Sequence, residues 1–198
     1  DATFSVIDVA TRAIVAKVAL DDHGGTFDFA FTPDGSQVWI ADRGTDEIIV
    51  IDVATRSLVA RMDVSFFDNG IQSFTFTPDG SQAWLWGLFV NTISVIDVGT
   101  LARVATLDVN SLGAANILFT PDGSQAWMSN SNEIIVIDVG TRTVMGRIDD
   151  GNHPIGRNIL FTPDGTQAWV TRFNDDTVSV IATGVGPPLP PLPASEGL

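Results

Sequence analysis

Residues 27–64 read FDFAFTPDGSQVWIADRGTDEIIVIDVATRSLVARMDV, four short apolar or alternating stretches separated by turn chemistry. FDFAF, QVWIA, EIIVID and SLVARMDV each carry the period-2 or β-branched pattern of strands. Between the first two, Pro33 presets φ, Asp34 bonds its own backbone and Gly35 takes a positive φ. Between the last two, Asp52-Val53-Ala54-Thr55 sets an aspartate where its side chain accepts from turn amides. Labelled A to D in order, the four stretches predict one small antiparallel sheet.

That unit recurs. FTPDGSQ, or its near copy FTPDGTQ, begins at Phe31, Phe76, Phe119 and Phe161, spacings of 45, 43 and 42 residues. Val-Ile-Asp-Val places an aspartate at Asp8, Asp52, Asp97 and Asp138, and a fifth copy decays to VIAT at Val180 to Thr183. Four-stranded units at this period are the signature of β-propeller blades, so the expected fold is an all-β propeller of four-stranded antiparallel blades. The chain supplies four A, four B, four D and five C strands. The C-terminal unit has A, B and C (Arg157 to Ile181) and the N-terminus has C and D (Thr3 to Ala19), so pairing the two ends closes four blades and removes the exposed sheet edge. One C strand, TFSVID or TVSVIA, is then spare, left to fray, to add an outer strand or to pair with a neighbouring molecule. The rival expectation is an arc of a longer ring. Residues 1–183 form the propeller, and 184–198, GVGPPLPPLPASEGL with Thr183 before it, read as a Pro-rich tail or linker.

The combined TPDG and VSVIDV marks resemble the YVTN-type β-propeller repeat of bacterial and archaeal surface and exported proteins, over nearly all of residues 1 to 182. The family's Tyr-Val-Thr-Asn is here WIAD, WLWG, WMSN and WVTR, so Trp39, Trp84, Trp127 and Trp169 stand where tyrosine is usual. Large planar side chains at equivalent B-strand positions read as packing between blades rather than as a cofactor box. The resemblance implies an extracellular, cell-surface or periplasmic setting in a prokaryote, and more often about seven blades. Related propellers include lactone hydrolases and lyases that work at a loop-lined, metal-dependent central site.

Composition narrows the partners. With 10 Lys+Arg against 24 Asp+Glu the net charge is −14, which repels nucleic acid and anionic lipid. The absence of Cys excludes disulfides, thiolate metal sites and thiol nucleophiles. No apolar run reaches the roughly 18 residues of a membrane span, and no G-x-S-x-G, H-E-x-x-H, P-loop or dinucleotide fingerprint is present. The chain opens within a strand-like pattern, which raises the expectation of a leader or further sequence upstream.

Strands in a blade alternate direction, so A–B and C–D turns share one face while B–C loops and D–A connections share the other. The first face repeats TPDG and DVATR almost unchanged, and its eight aspartates (Asp8, Asp34, Asp52, Asp79, Asp97, Asp122, Asp138, Asp164) read as turn formers. The second face diverges from unit to unit, and divergence in loops points to function there. It carries Asp22, His23, Asp42, Arg43, His153 and Arg172 as a polar surround. It also carries an oily segment, Trp86 to Val90, beside Phe66 and Phe67. With Trp86, Phe89, Phe66 and Phe67 exposed, this is an aromatic docking patch; with the loop folded inward, it is a channel plug or a local mini-core.

The expected function is a non-catalytic extracellular binding or scaffold propeller that meets a protein or cell-surface ligand on the loop face. Self-association through the spare strand or the apolar patch is a further expectation, with no nucleic acid and no membrane insertion. No cofactor is required; carboxylates and loop carbonyls there are hard oxygen donors suited to Ca or Mg. The alternative is a metal-assisted hydrolase or lyase at the central channel.

Overall fold

A computed structural model describes residues 3–20, 25–67, 70–87, 90–110, 116–130, 133–148, 155–172 and 177–185. Its strands form five antiparallel meanders. Blade 1 holds β1 (Thr3–Ile7) and β2 (Ile14–Ala19). Blade 2 holds β3 (Thr26–Phe31), β4 (Gln37–Asp42), β5 (Glu47–Asp52) and β6 (Ser57–Asp63). Blade 3 holds β7 (Ile71–Phe76), β8 (Gln82–Gly87), β9 (Thr92–Asp97) and β10 (Arg103–Asp108). Blade 4 holds β11 (Asn116–Phe119), β12 (Gln125–Ser129), β13 (Ile134–Asp138) and β14 (Thr143–Ile148), and blade 5 holds β15 (Ile155–Phe161), β16 (Gln167–Arg172) and β17 (Thr177–Ala182). The first strands β3, β7, β11 and β15 contact one another in succession, which places them at the hub.

The two repeated turns form as their chemistry dictates. Thr32 donates its hydroxyl to Asp34 Oδ1 at 2.6 Å, the Ser36 amide donates to the same oxygen at 3.0 Å, and Gly35 turns at φ +70°. The Thr77–Asp79, Thr120–Asp122 and Thr162–Asp164 pairs repeat this bond. In the C–D turn, Asp52 Oδ1 accepts both the amide and the hydroxyl of Thr55 at 2.7 Å, and Arg56 takes a left-handed φ of 57°. A register shift follows in the C–D pair of blades 1 to 4, at Val6/Ile7, Val50/Ile51, Arg103/Ala105 and Val136/Ile137, adding local twist where the outer strand leaves its neighbour.

Blades join by one recurring contact. The B-strand Trp of each blade meets the A-strand Phe of the next edge to face: Trp39–Phe76 at 5.2 Å, Trp84–Phe119 at 5.2 Å and Trp127–Phe161 at 5.5 Å. Such pairs add about 0.5–1.5 kcal/mol beyond the area they bury. Each indole N–H is satisfied inside its own strand by the glutamine two residues earlier, as Trp39 Nε1 donates to Gln37 Oε1 at 3.0 Å. On the TPDG face a Cβ on Gly80 would lie 3.4 Å from Pro33, one on Gly123 3.6 Å from Pro78 and one on Gly165 3.3 Å from Pro121, so successive turns stack proline on glycine. Four apolar clusters result, one at each blade–blade joint.

The four-bladed closure expected from the sequence is not adopted: β1–β2 is a sheet of its own and β15–β17 another. Neither C strand is spare, because β1 pairs with β2 from Thr3↔Ala19 to Ile7↔Ile14 and β17 pairs with β16 from Gln167↔Ala182 to Arg172↔Thr177. Local hairpins closed by short turns cost less chain entropy than a pairing across the whole chain.

Candidate functional site

The divergent face is held together by its own side chains. Asp42, fully buried at the end of β4, accepts the amides of Gly44 at 2.8 Å and Thr45 at 3.2 Å through Oδ1, which shapes the B–C loop of blade 2. Arg43 lies over Gly70 so closely that a Cβ there would sit 2.8 Å from its Cγ. Gly87 in turn abuts the Gly70 carbonyl, Phe67 and Val90, with a Cβ placed 3.0, 3.4 and 3.3 Å from them. Arg172 donates Nε to Ser179 Oγ at 2.6 Å, across its own hairpin.

The aromatic docking patch is therefore corrected in two of its members. Trp86 is 2% exposed and packs with Ile93, Val109 and Ile117 between blades 3 and 4. Phe67, also 2% exposed, packs with Trp39, Val64 and Leu85 between blades 2 and 3. The reason is the pleat: Trp84 and Trp86 are two residues apart in β8 and point to the same, buried side. Among the described residues of the patch, Phe66 alone is left at the surface, its ring 4.8 Å from Phe67 and beneath the Arg103 guanidinium at 4.2 Å. The Trp86 indole N–H is buried and finds no hydrogen-bond acceptor among the described residues. Asp22, His23, Phe89 and His153 lie outside the described residues.

Polar side chains gather instead at the hub. Three residues before each repeated Phe stand Asp28, Ser73, Asn116 and Asn158, all on innermost strands. Asp28 and Ser73 join neighbouring blades directly: the Ser73 hydroxyl donates to Asp28 Oδ2, while Asp28 Oδ1 takes the Phe29 amide at 2.9 Å. Asp28, Ser73 and Asn116 are half-buried and Asn158 is exposed. Sequence reasoning passed over this row, although aligning the four units on Phe31, Phe76, Phe119 and Phe161 exposes a consistently polar position followed each time by an apolar residue, Phe29, Phe74, Ile117 or Ile159. In this row a carboxylate held next to a hydroxyl can accept a proton, and the carboxamides of Asn116 and Asn158 can donate to a carbonyl oxygen.

The other face offers structure rather than chemistry. A crevice of about 140 Å3 between blades 3 and 4 is lined by Thr77, Pro78, Asp79, Gln82, Asp122 and Val139, and both aspartates are engaged by turn hydroxyls. The Thr32 hydroxyl, then the Ser36 amide, hold Asp34 below the ordinary carboxylate range, and the Thr55 hydroxyl and amide do the same for Asp52. Asp79, Asp97 and Asp164 are lowered first by Thr77, Thr100 and Thr162 hydroxyls. For metals, no group of three or more His, Cys, Asp or Glu able to hold an ion occurs among the described residues.

A family model described as Lactonase, 7-bladed beta-propeller, matches residues 23–185. The chain belongs to this lactonase propeller family. This lactonase-family chain is similar in structure to a solved structure titled Kuenenia stuttgartiensis hydrazine synthase, with a TM-score of 0.77 and 20% identity. The match covers 91% of this chain and 57% of that one, so the chain spans little more than half that protein's length. At this identity the likeness is one of fold. No curated protein matches the sequence. The family's seven blades contrast with the four inferred from the repeats, and among the described strands no ring closes.

Proposed function

We propose that the protein acts on small cyclic esters at the hub, in the manner its family's description suggests, with Asp28 as the proton acceptor. The observation that carries this reading is the hydrogen bond between Asp28 and Ser73 across two innermost strands of a lactonase-family propeller. Water adds to the lactone carbonyl carbon as Asp28 takes its proton. The ring C–O bond then breaks, and the proton passes to the departing alkoxide to leave a hydroxy acid. Ser73 orients the carboxylate, and the Asn116 and Asn158 carboxamides are the donors available to the carbonyl oxygen. The test is ring opening of a panel of γ- and δ-lactones followed by base uptake at constant pH. Removing a positioned base costs about 100-fold or more, so Asp28→Asn should lose at least that much at unchanged thermal midpoint. Undiminished hydrolysis by Asp28→Asn would remove Asp28 from the reaction.

A second reading keeps the hub as a binding site without turnover, in a surface or exported propeller of the YVTN kind. It is favoured by the bonds of Asp28 itself: one oxygen takes the Ser73 hydroxyl and the other the Phe29 amide, so both are engaged in contacts that hold the hub together. Lactones that raise the thermal midpoint but are recovered unopened would decide for it.

A further inference from the structure

Trp86 stands across the sheet from Ser73, the residue whose hydroxyl holds Asp28. In the β7–β8 ladder Ile71 is paired with Gly87 and Ser73 with Trp86, so Gln72 and Ser73 together oppose one residue. Directly opposed side chains rise from the same side of a sheet, with Cβ atoms about 4.5–5.5 Å apart. The Trp86 side chain is 2% exposed and seated on Ile93, Val109 and Ile117, which makes it a fixed wall. The sister blades carry little bulk at this place: Ala41 opposes Asp28, and Ser129 opposes Asn116. An indole therefore backs the one member of the hub row whose hydroxyl reaches the Asp28 carboxylate of the neighbouring blade.

A serine side chain has several staggered χ1 wells, and the bond to Asp28 uses one of them. A rival acceptor lies next to it in the bulge, because the Gln72 side-chain oxygen is buried and takes no donor among the described residues. The Trp86 N–H bonds neither Gln72 nor Ser73, so the ring acts on Ser73 by occupying space. We propose that Trp86 is a positioning residue for the hub: its ring closes the other Ser73 rotamers, keeps the hydroxyl on Asp28 and so aims that carboxylate. The catalytic consequence rests on lactone opening at Asp28, and the effect on Ser73 does not. Trp86 is too buried to meet a substrate, so it governs rate and leaves substrate binding alone.

Steady-state kinetics on the lactone that the native chain opens fastest tests this with Ser73→Ala, Trp86→Ala, Trp86→Phe and the double variant Ser73→Ala/Trp86→Ala. Slight misplacement of a reacting group costs up to about 100-fold, so Ser73→Ala and Trp86→Ala should lower kcat alike, by roughly 10- to 100-fold, at native KM. The double variant should be no slower than Ser73→Ala, because Trp86 acts only through that hydroxyl. Trp86→Phe keeps the wall and should keep the native kcat. A double variant slowed by the product of the single losses overturns the proposal, as does a raised KM, or a Trp86→Phe that falls as far as Trp86→Ala. Vicinal couplings to the Ser73 Cβ protons read the rotamer directly. They should report one χ1 well in the native chain and in Trp86→Phe, and an average over wells in Trp86→Ala; a single well in Trp86→Ala overturns the proposal whatever the kinetics give. A native chain that opens no lactone removes the reaction, and the couplings then uphold or overturn the positioning of Ser73 by the same criterion. Trp86→Leu, which fills more of the space but has no ring face, takes the place of Trp86→Ala should that variant fail to fold.

Discussion

Blades 2 and 4 are fastened by charge, and blade 3 by oil. In blade 2, Arg61 holds Glu47 at 3.0 Å and donates its other arm to the Leu20 carbonyl, just after the last strand of blade 1, at 3.1 Å. In blade 4, Arg147 holds Glu133 at 2.6 Å and reaches the Val109 carbonyl just after the last strand of blade 3 at 2.5 Å. Blade 3 has Thr92 and Thr106 at the corresponding places, and it alone carries Trp86 where its sisters have Ala41, Ser129 and Thr171. The loops of this face differ because neighbouring joints are closed by different means. Divergence among repeats is thus a weaker guide to a ligand than it first reads.

The largest effect that could break this comparison is loss of the oily joint. Burial of an aromatic in a filled core is worth about 3–5 kcal/mol against alanine, so Trp86→Ala and Phe67→Ala should each lower the urea midpoint steeply. A native-like midpoint would show the segment to be a surface patch after all. Acid should act on all blades alike. The turn carboxylates have folded pKa values below their unfolded ones, so their contribution is complete above the ordinary carboxylate pKa of about 4 and is lost as pH falls through the lowered values. Asp34→Asn, Asp79→Asn and Asp122→Asn, one in each of blades 2, 3 and 4, should flatten the melting profile below pH 4 to similar degrees. A finer comparison lies within β8. Trp84→Phe forfeits the bond to Gln82, whereas Trp86→Phe removes an N–H that has no acceptor among the described residues, a burden of about 1–3 kcal/mol. Trp86→Phe should therefore be the milder change in the same urea titration. Smallest is the clasp: with side chains 28 and 29% exposed, the Arg61–Glu47 pair is screened by solvent, and Glu47→Gln should cost about 0.2–1 kcal/mol, less at high salt.

The strands were legible because each is bounded by chemistry that admits one reading: Thr-Pro-Asp-Gly turns, Asp-x-x-Thr turns, and a Trp in the second strand of each of blades 2 to 5. Blade number was not, since a count of C strands says nothing about which hairpin each one prefers. The direction of the oily segment was half legible. The alternation of Trp84 and Trp86 already sets both on one side of β8, but the strand was expected to end before Trp86 and runs to Gly87. The hub row was visible in the alignment of the units and overlooked because an innermost strand has the same pattern as any other. Asp42 and Arg43 looked like exposed charges, and only the fold reveals one as the buried organiser of a loop and the other as a lid on Gly70.

The stacking of Pro33 on Gly80, Pro78 on Gly123 and Pro121 on Gly165 means that each repeat carries the mortise for the unit before it and the tenon for the unit after it. Nothing in such a joint counts. A gene that duplicates or drops one whole repeat leaves every surviving joint chemically intact, so array length in such proteins is free to drift by unequal crossing-over while the repeat itself stays under selection.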